Sequence, residues 1–284
     1  MIDQGWALRE TRVGGGLSST AVFAGPAHDE ALSRLLFIVK QQRHCGILFG
    51  PPGAGKSVLL AQFSSIVRRG SRELAVVDVH QRTGAEVLWE LCGELGLSPH
   101  YGDTTFAVWR RILDHLLPNR GLERPTVVVL DHADQGAEEC SALVTRLVHL
   151  AGQGQGLTVI LALRGGQLAD LPEALRDASD LRIELAWHDR QQTGEFVRAV
   201  FQSPADELPV FTEPAIDRLH ALSQGSPRVL GRLCDLSLLA AMAGDETTIS
   251  EHTVTTAAAD LQFAEPHRSR AVAWQDSSRP WAEI

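Results

Sequence analysis

The sequence predicts an α/β protein in which helices cover a parallel sheet and a small all-helical domain follows. Three observations lead to this fold class. Short apolar segments alternate with amphipathic helical segments, as in sheets that have helices on both faces. A glycine-rich loop, residues 50–55, joins the first apolar strand to a helix. Beyond Asp189 the apolar residues follow helical spacing only.

Five segments have the length and composition of buried strands. Each is a run of mostly apolar residues, often β-branched, and is bounded by polar, glycine or proline residues. Because these mostly apolar runs alternate with helical segments, they suit a parallel sheet that is covered on both faces. The predicted strands are 46–49, 73–79, 126–131, 157–163 and 181–187.

The intervening segments carry apolar residues at helical spacing. In the first of them, Leu32, Leu35, Leu36 and Ile38 fall on one face of a helix. The helices predicted in the α/β part are 29–41, 56–68, 84–95, 105–117 and 138–151. Those predicted after it are 190–202, 213–223, 227–242 and 250–262.

These elements divide the chain into four regions. The α/β core spans residues 21–189 and the helical domain spans residues 190–263. Residues 1–20 are polar, contain three consecutive glycines and are typical of a flexible leader. Residues 264–284 are polar and are expected to be disordered; the alternative is a peptide that docks on a partner through its two tryptophans.

The composition is that of a globular protein rather than a fibrous or low-complexity one. The 284 residues are 44% hydrophobic and 21% charged, with a net charge of −9. No apolar run is long enough to cross a bilayer, and the first residues lack the basic-then-apolar pattern of a signal peptide. We therefore expect a cytoplasmic protein without membrane insertion. The acidic balance disfavours a broad nucleic-acid surface but leaves room for a local basic patch.

The four cysteines are far apart in the chain and show no metal-ligand or paired spacing. Each lies in an apolar segment, which favours a small buried side chain over a disulfide or a metal site. They are Cys45, Cys92, Cys140 and Cys234.

The glycine-rich loop satisfies the pattern G-x-x-x-x-G-K-[ST] and lies between a strand and a helix, as that pattern requires. Its glycines let backbone N–H groups surround a phosphate, and the helix N-terminus adds partial positive charge. Lys56 can reach the β- and γ-phosphates, and the Ser57 hydroxyl can coordinate Mg²⁺. The loop therefore predicts ATP or GTP binding. The candidate nucleotide-binding residues here are Gly50, Pro51, Pro52, Gly53, Ala54, Gly55, Lys56, Ser57 and Val58.

That lysine stands out in the composition. Of the 26 basic residues only Lys40 and Lys56 are lysines, and the other 24 are arginines. A compact ammonium fits an enclosed phosphate loop better than a planar guanidinium does, so Lys56 is the candidate for phosphate binding. Lys40 has no comparable context.

A second motif ends the strand 126–131. This segment is apolar and finishes in Asp131, the pattern of a Walker B strand. We expect Asp131 to hold the hydration shell of Mg²⁺ together with Ser57, and we expect its strand to lie beside the phosphate-loop strand.

The residue after Asp131 departs from the usual pattern. ATP-hydrolysing enzymes of this type generally have glutamate there to polarise the attacking water, whereas this chain has His132. A neutral imidazole could act as the base, or Asp134 could reach the water. The remaining alternative is slow hydrolysis in a nucleotide-dependent binding switch.

Together these motifs resemble the AAA+ superfamily, and more narrowly the ATPase domain of the general secretion pathway protein A family, which is similar to transposition and origin-recognition ATPases. The resemblance runs from Phe23 to Leu261. Residues 23–32 resemble a lead-in that contributes to the adenine pocket in the family. The helical domain resembles the family's lid, and the segments that carry this likeness are 211–216, 223–228, 233–235 and 238–241.

The resemblance implies that Arg228, in a G-x-P-R turn, is the lid arginine that senses the γ-phosphate. The residues support this role independently, because Ser226 is a favourable N-cap and Pro227 a favourable first helical residue. Arg228 then lies in the first turn of a helix, from which it can project toward a phosphate. Arg232, one turn later, is expected to lie on the surface or to pack within the lid.

The resemblance also implies two further polar positions. Arg164, directly after the strand 157–163, stands where the family has its first sensor residue. An arginine finger acting on a neighbouring subunit would lie near Ala178, which Arg176 and Arg182 flank.

The sequence thus predicts a Mg²⁺–ATP-binding AAA+ ATPase. It would hydrolyse ATP to ADP and couple nucleotide state to a homo-oligomer or to a protein partner complex. One alternative is a DNA-associated ATPase of the transposition or replication type, which the net charge disfavours. The other is a hydrolysis-deficient ATP-binding scaffold.

Overall fold

A computed structural model describes residues 25–70, 72–116, 125–154, 156–164, 168, 171–201 and 208–260. The predicted leader 1–20 and the tail 264–284, with Trp274 and Trp281, lie outside these residues, as does Phe23 of the lead-in. The first helix, α1, spans Pro26–Lys40 and starts three residues earlier than predicted. Its early start reflects Pro26, since proline is favourable in the first helical turn.

A five-stranded sheet forms the centre of the core, and all its pairings are parallel. This confirms the predicted sheet. The strands follow the order β2-β3-β4-β1-β5 across it. They are β1 (Cys45–Phe49), β2 (Glu73–Asp78), β3 (Thr126–Asp131), β4 (Leu157–Ala162) and β5 (Leu181–Glu184).

The predicted placement of β3 beside the phosphate-loop strand β1 is wrong. Strand β4 lies between them, with Val159 opposite both Cys45 of β1 and Val128 of β3. Every residue of β4 is buried and all but Thr158 are apolar, as expected for the central strand of a covered sheet. The carboxyl ends of β1 and β3 still meet at one edge of the sheet, because all the strands run in the same direction.

Helices cover both faces of this sheet. Alternate β3 residues face opposite ways: Val127 joins the cluster formed with α1 and α2, and Val128 joins the cluster formed with α3, α4 and α5. A short helix, α6, which was not predicted, precedes β5. These helices are α2 (Lys56–Arg68), α3 (Gly84–Glu94), α4 (Thr105–Leu116), α5 (Glu138–Gly152) and α6 (Glu173–Asp177).

The C-terminal part packs four helices around its own apolar cluster, which includes Phe196, Ile216, Leu230 and Val254. They are α7 (Arg190–Phe201), α8 (Glu213–Ser223), α9 (Pro227–Ala243) and α10 (Glu251–Asp260). The prediction of helices alone needs one correction, since β6 (Val210–Phe211) and β7 (Thr248–Ile249) form a parallel pair. Two residues are too few to produce a strand pattern in the sequence.

The predicted burial of the cysteines is confirmed: all four are free and buried. No helix within the described ranges is long and apolar enough to span a bilayer.

Candidate active site

The phosphate loop begins where β1 ends and closes where α2 begins. Gly50 has a φ of +148°, and a Cβ there would lie 2.1 Å from the carbonyl oxygen of Leu185. Only glycine fits against this backbone. Gly55, in the left-handed region at φ +99°, directs the chain into α2, and Ala54 is buried beneath the loop. Pro51 and Pro52 restrict the backbone between these points.

Lys56 is the first residue of α2, and only 9% of its surface is exposed. Its Nζ donates hydrogen bonds to the carbonyl oxygens of Gly50, at 2.5 Å, and Pro51, at 3.1 Å. Burial lowers the pKa of Lys56 below its usual value, although the carboxylates of Asp131 and Asp134 oppose that effect. The loop therefore holds one desolvated cation close to its own backbone.

Ser57 joins the loop to the end of β3. Its Oγ donates to Oδ2 of Asp131 at 3.1 Å, across 74 residues of sequence. Val58 follows in the first turn of α2 and is partly buried. A hydroxyl and a carboxylate are hard oxygen ligands, and Mg²⁺ characteristically takes one or two such protein ligands beside substrate phosphates. The donor set at Ser57 and Asp131 therefore fits Mg²⁺.

His132 leaves β3 in a left-handed conformation, with a φ of +54°. Such backbone is uncommon for a residue with a side chain and often accompanies a functional position. Its Nδ1 lies 2.8 Å from Oδ1 of Asp78 and 4.0 Å from Oδ1 of Asp131, so Asp78 is its hydrogen-bond partner. The ring centroid of His80 is 5.6 Å away.

Asp78 ends β2 and accepts two hydrogen bonds at the same oxygen, from the His80 amide at 3.0 Å and from His132. Partial burial by itself raises the pKa of Asp78, but these hydrogen bonds outweigh it, so the pKa lies below its usual value. Asp78 is therefore an ionised acceptor at neutral pH.

Arg164 follows β4, as predicted, but lies toward the β2 side of the site. Its amide donates to Oδ1 of Asp134 at 2.6 Å, and its guanidinium approaches the imidazole of His80, with 3.2 Å between Nη1 and Nε2. The structure thus groups Arg164, Asp134, His80 and His132 at the carboxyl ends of β2, β3 and β4.

The helical domain contacts the phosphate loop at the start of α9. The amide of Arg228 lies 3.4 Å from the carbonyl oxygen of Gly53, and the Arg228 side chain is exposed. Its charge is close enough to lower the pKa of Lys56. Ser226 occupies the predicted N-cap position, but its hydroxyl makes no capping hydrogen bond. That hydroxyl instead lies against the phosphate loop, where it would be 2.8 Å from a Cβ placed at Gly53.

The segment between β5 and α7 fastens the two parts together. Trp187 donates its indole N–H to the carbonyl oxygen of Pro52 at 3.1 Å. The amide of His188 donates to the carbonyl oxygen of Gly225 at 2.9 Å. Gly225 has a φ of +80°, and a Cβ there would lie 1.9 Å from the His188 carbonyl oxygen.

The two arginine-finger candidates lie together at the β5 edge of the sheet. Arg182, on β5, is exposed and donates from Nη2 to the carbonyl oxygen of Arg176 at 2.8 Å. Its Nε also donates to Ser179 Oγ at 3.1 Å. A role on a neighbouring subunit stays a prediction for both.

Sequence reasoning missed Asp78, His80 and Trp187. A signal for Asp78 was present, because β2, like β3, is an apolar run that ends in aspartate. Parallel neighbours place such ends side by side, and Asp78 is opposite Asp131 in the register. His80 and Trp187 follow strand ends without a comparable pattern.

The chain is similar to a known protein family and to one characterised relative. Residues 39–171 match the family model described as AAA domain. The chain is 27% identical over 252 residues to general secretion pathway protein A of Aeromonas hydrophila, an alignment that covers 84% of this chain. The chain spans only 45% of the length of that relative.

Solved structures resemble the fold at low sequence identity. Cdc6p of Pyrobaculum aerophilum has a TM-score of 0.68 at 15% identity, covering 85% of this chain and 70% of its own. Drosophila ORC bound to DNA has a TM-score of 0.67 at 14% identity, covering 90% and 65%. The RuvB Holliday junction branch migration motor of Thermotoga maritima scores 0.55 at 16% identity, covering 84% and 70%.

Proposed function

We propose that this chain, an AAA domain on the AAA+ P-loop fold with a helical lid, binds Mg²⁺–ATP and hydrolyses it to ADP and phosphate. Its nucleotide state would control the assembly or remodelling of a partner complex. One observation carries the proposal: Ser57 and Asp131, from separate motifs, are hydrogen-bonded at 3.1 Å beside the buried ammonium of Lys56.

Binding follows from the loop's charge and backbone. Lys56 would exchange its hydrogen bonds to the Gly50 and Pro51 carbonyls for bonds to phosphate oxygens, which are stronger because both partners are charged. Ser57 and Asp131 would hold Mg²⁺, which supplies positive charge to the phosphate oxygens. Arg228, at the start of α9, would add a second cation from the lid.

Hydrolysis requires a base for the attacking water. The water oxygen bonds to the γ-phosphorus while the bond from that phosphorus to the bridging oxygen breaks, and the electron pair stays with ADP. The water proton passes to the neutral imidazole of His132 and then to solvent, with Asp134 as the alternative acceptor. Arg164 stands beside this group of side chains.

The test is phosphate release measured together with thermal melting, with ATP and with or without Mg²⁺. We expect Mg²⁺-dependent release that Lys56→Ala abolishes. If ATP raises the melting temperature but no phosphate is released, the chain is an ATP-binding scaffold. If ATP changes neither quantity, nucleotide binding itself is contradicted.

A homo-oligomer or a protein partner complex is the proposed target of the nucleotide cycle, in line with the likeness to general secretion pathway protein A. Affinity capture in the presence of a slowly hydrolysed ATP analogue, compared with ADP, tests this. Proteins retained only with the analogue would support it, while identical captures with both nucleotides would contradict it.

DNA association is a second candidate because two of the structural neighbours are bound to DNA. The net charge of −9 weighs against it. It predicts ATP-dependent DNA binding that weakens steeply as salt is raised. If an electrophoretic assay at low salt with ATP shows no mobility shift of DNA, this candidate is contradicted.

A further inference from the structure

We propose that Asp78 is a positioning residue for ATP hydrolysis: it keeps the proton of His132 on Nδ1 and so leaves Nε2 free to accept the proton of the attacking water. The inference rests on the proposed hydrolysis and assigns a role to a residue outside the phosphate loop and the Asp131 motif.

The hydrogen bond between the two side chains fixes the direction of the imidazole. A carboxylate can only accept, so the 2.8 Å contact requires the proton on Nδ1 of His132. Neutral imidazole carries one N–H, and Nε2 is then the acceptor. Within the described residues, no side chain or backbone group hydrogen-bonds to that Nε2.

Backbone on both sides holds the pair in place. Asp78 is the last residue of β2, and its Oδ1 is also fixed by the His80 amide at 3.0 Å. The His132 amide donates to Oδ1 of Asp131 at 2.9 Å, and its positive φ turns the side chain toward β2. The pair is thereby tied to the residue proposed to hold Mg²⁺.

Both side chains are accessible to water. The His132 side chain is 27% exposed and that of Asp78 is 52% exposed. A carboxylate that orients an imidazole base, with the imidazole facing the reaction, is an arrangement that recurs in enzymes that activate water or hydroxyl groups. Here the aspartate and histidine come from the ends of two adjacent strands, β2 and β3.

A change of charge at position 132 distinguishes a positioning role of Asp78 from a merely structural one. If His132 is replaced by glutamate, the new carboxylate would face Asp78, and like charges at this distance repel. Removing Asp78 should therefore slow the enzyme that has histidine and speed the enzyme that has glutamate. Damage to the fold would lower both rates.

The experiment compares ATP turnover in the wild-type chain, Asp78→Ala, His132→Glu and the double variant, with Asp114→Ala as a matched exposed-aspartate control. We expect Asp78→Ala to lower kcat about 10-fold in the wild type with ATP affinity unchanged. In the His132→Glu background we expect the same change to raise kcat about 3-fold. Equal losses in both backgrounds, or no change in either, would overturn the proposal.

A second readout does not depend on turnover. Imidazole ¹⁵N shifts distinguish the Nδ1–H from the Nε2–H tautomer, and the His132 signal is assigned by its loss in His132→Gln. We expect Nδ1–H in the wild type, a shift toward Nε2–H in Asp78→Ala, and retention of Nδ1–H in Asp78→Asn, whose Oδ1 still accepts. An Nε2–H tautomer in the wild type would overturn the proposal even if ATP is hydrolysed. If ATP is not hydrolysed, the proposed function fails, and this measurement still decides whether Asp78 sets the tautomer of His132.

Discussion

The two halves of the candidate site are built in different ways. The phosphate half, residues 50–57, depends on backbone conformation and one buried cation, Lys56. The water half consists of partly exposed side chains, such as Asp78 and His132, from the ends of adjacent strands. Backbone geometry restricts the sequence narrowly, whereas a side-chain pair can be replaced by another with similar chemistry. The departure from the usual motif accordingly lies in the water half.

The largest expected effect is in the phosphate half. Lys56→Ala removes the buried ammonium, and we expect ATP affinity to fall about 100-fold because charge-assisted hydrogen bonds are lost. Calorimetric titration measures this. Lys40→Ala, the change at the other lysine, lies at the exposed end of α1 and should leave the affinity unchanged. Equal affinities for both variants would contradict the role assigned to the loop.

The next effect concerns the link between the two halves. Asp131→Asn removes the charge of the proposed Mg²⁺ ligand, so we expect Mg²⁺ to strengthen ATP binding about 10-fold less than in the wild type. Binding without Mg²⁺ should change little. Titrations with and without EDTA measure the difference, and Asp114→Asn is the control. A variant in which Mg²⁺ helps as much as before would show that Asp131 is not a ligand.

A smaller effect is expected from the lid. Arg228→Ala should lower ATP affinity about 5-fold and ADP affinity less, because the arginine is proposed to meet the γ-phosphate. Arg232→Ala, exposed on the same helix, serves as the control. The ratio of the two nucleotide affinities is the measurement. If the affinities for ATP and ADP fall equally, Arg228 contributes to nucleotide binding in general and does not sense the γ-phosphate.

The smallest effect lies away from both halves of the site. Burial raises the pKa of Asp235, on α9, from 3.8 to about 6. The folded state therefore holds this proton more tightly than the unfolded state, so stability falls as pH rises from about 4 to about 6 and stays lower above that.

Asp235→Asn should remove this cost. Since the side chain is only half-buried, we expect the free energy of unfolding to rise by about 1 kcal/mol at pH 8 and to be unchanged at pH 4. Urea unfolding at the two pH values measures it. A larger gain in stability at pH 4 than at pH 8 would contradict the raised pKa of Asp235. A change in ATP affinity would mean that the nucleotide site and the interior of the helical domain are coupled.

The phosphate half could be predicted almost completely from the sequence. A glycine-lysine pattern specifies a loop conformation, and the conformation places Lys56 and Ser57 regardless of the rest of the chain. The parallel sheet followed by helices was predictable for a similar reason, because apolar runs and helical spacing are local signals. Prediction succeeded where the structure depends on nearby residues.

The remaining features depend on residues far apart in sequence. Strand order depends on contacts between distant segments, and nothing within residues 157–163 indicates that β4 inserts between β1 and β3. The partnership of Asp78 with His132 spans 54 residues and requires that order. The strands β6 and β7 were missed because each has only two residues. They form by pairing with each other and have no sequence pattern of their own.

The seam between core and lid also bears on how such a protein can change over evolutionary time. Two of its contacts join main-chain atoms: the His188 amide with the Gly225 carbonyl, and the Arg228 amide with the Gly53 carbonyl. Every residue type except proline offers these atoms, so these two contacts place little demand on the side chains at positions 188 and 228. The lasting requirements are a residue without a side chain at position 225 and the Trp187 indole that donates to the Pro52 carbonyl. Helical domains with different surface residues could therefore replace one another on the same α/β core, provided that these contacts are kept.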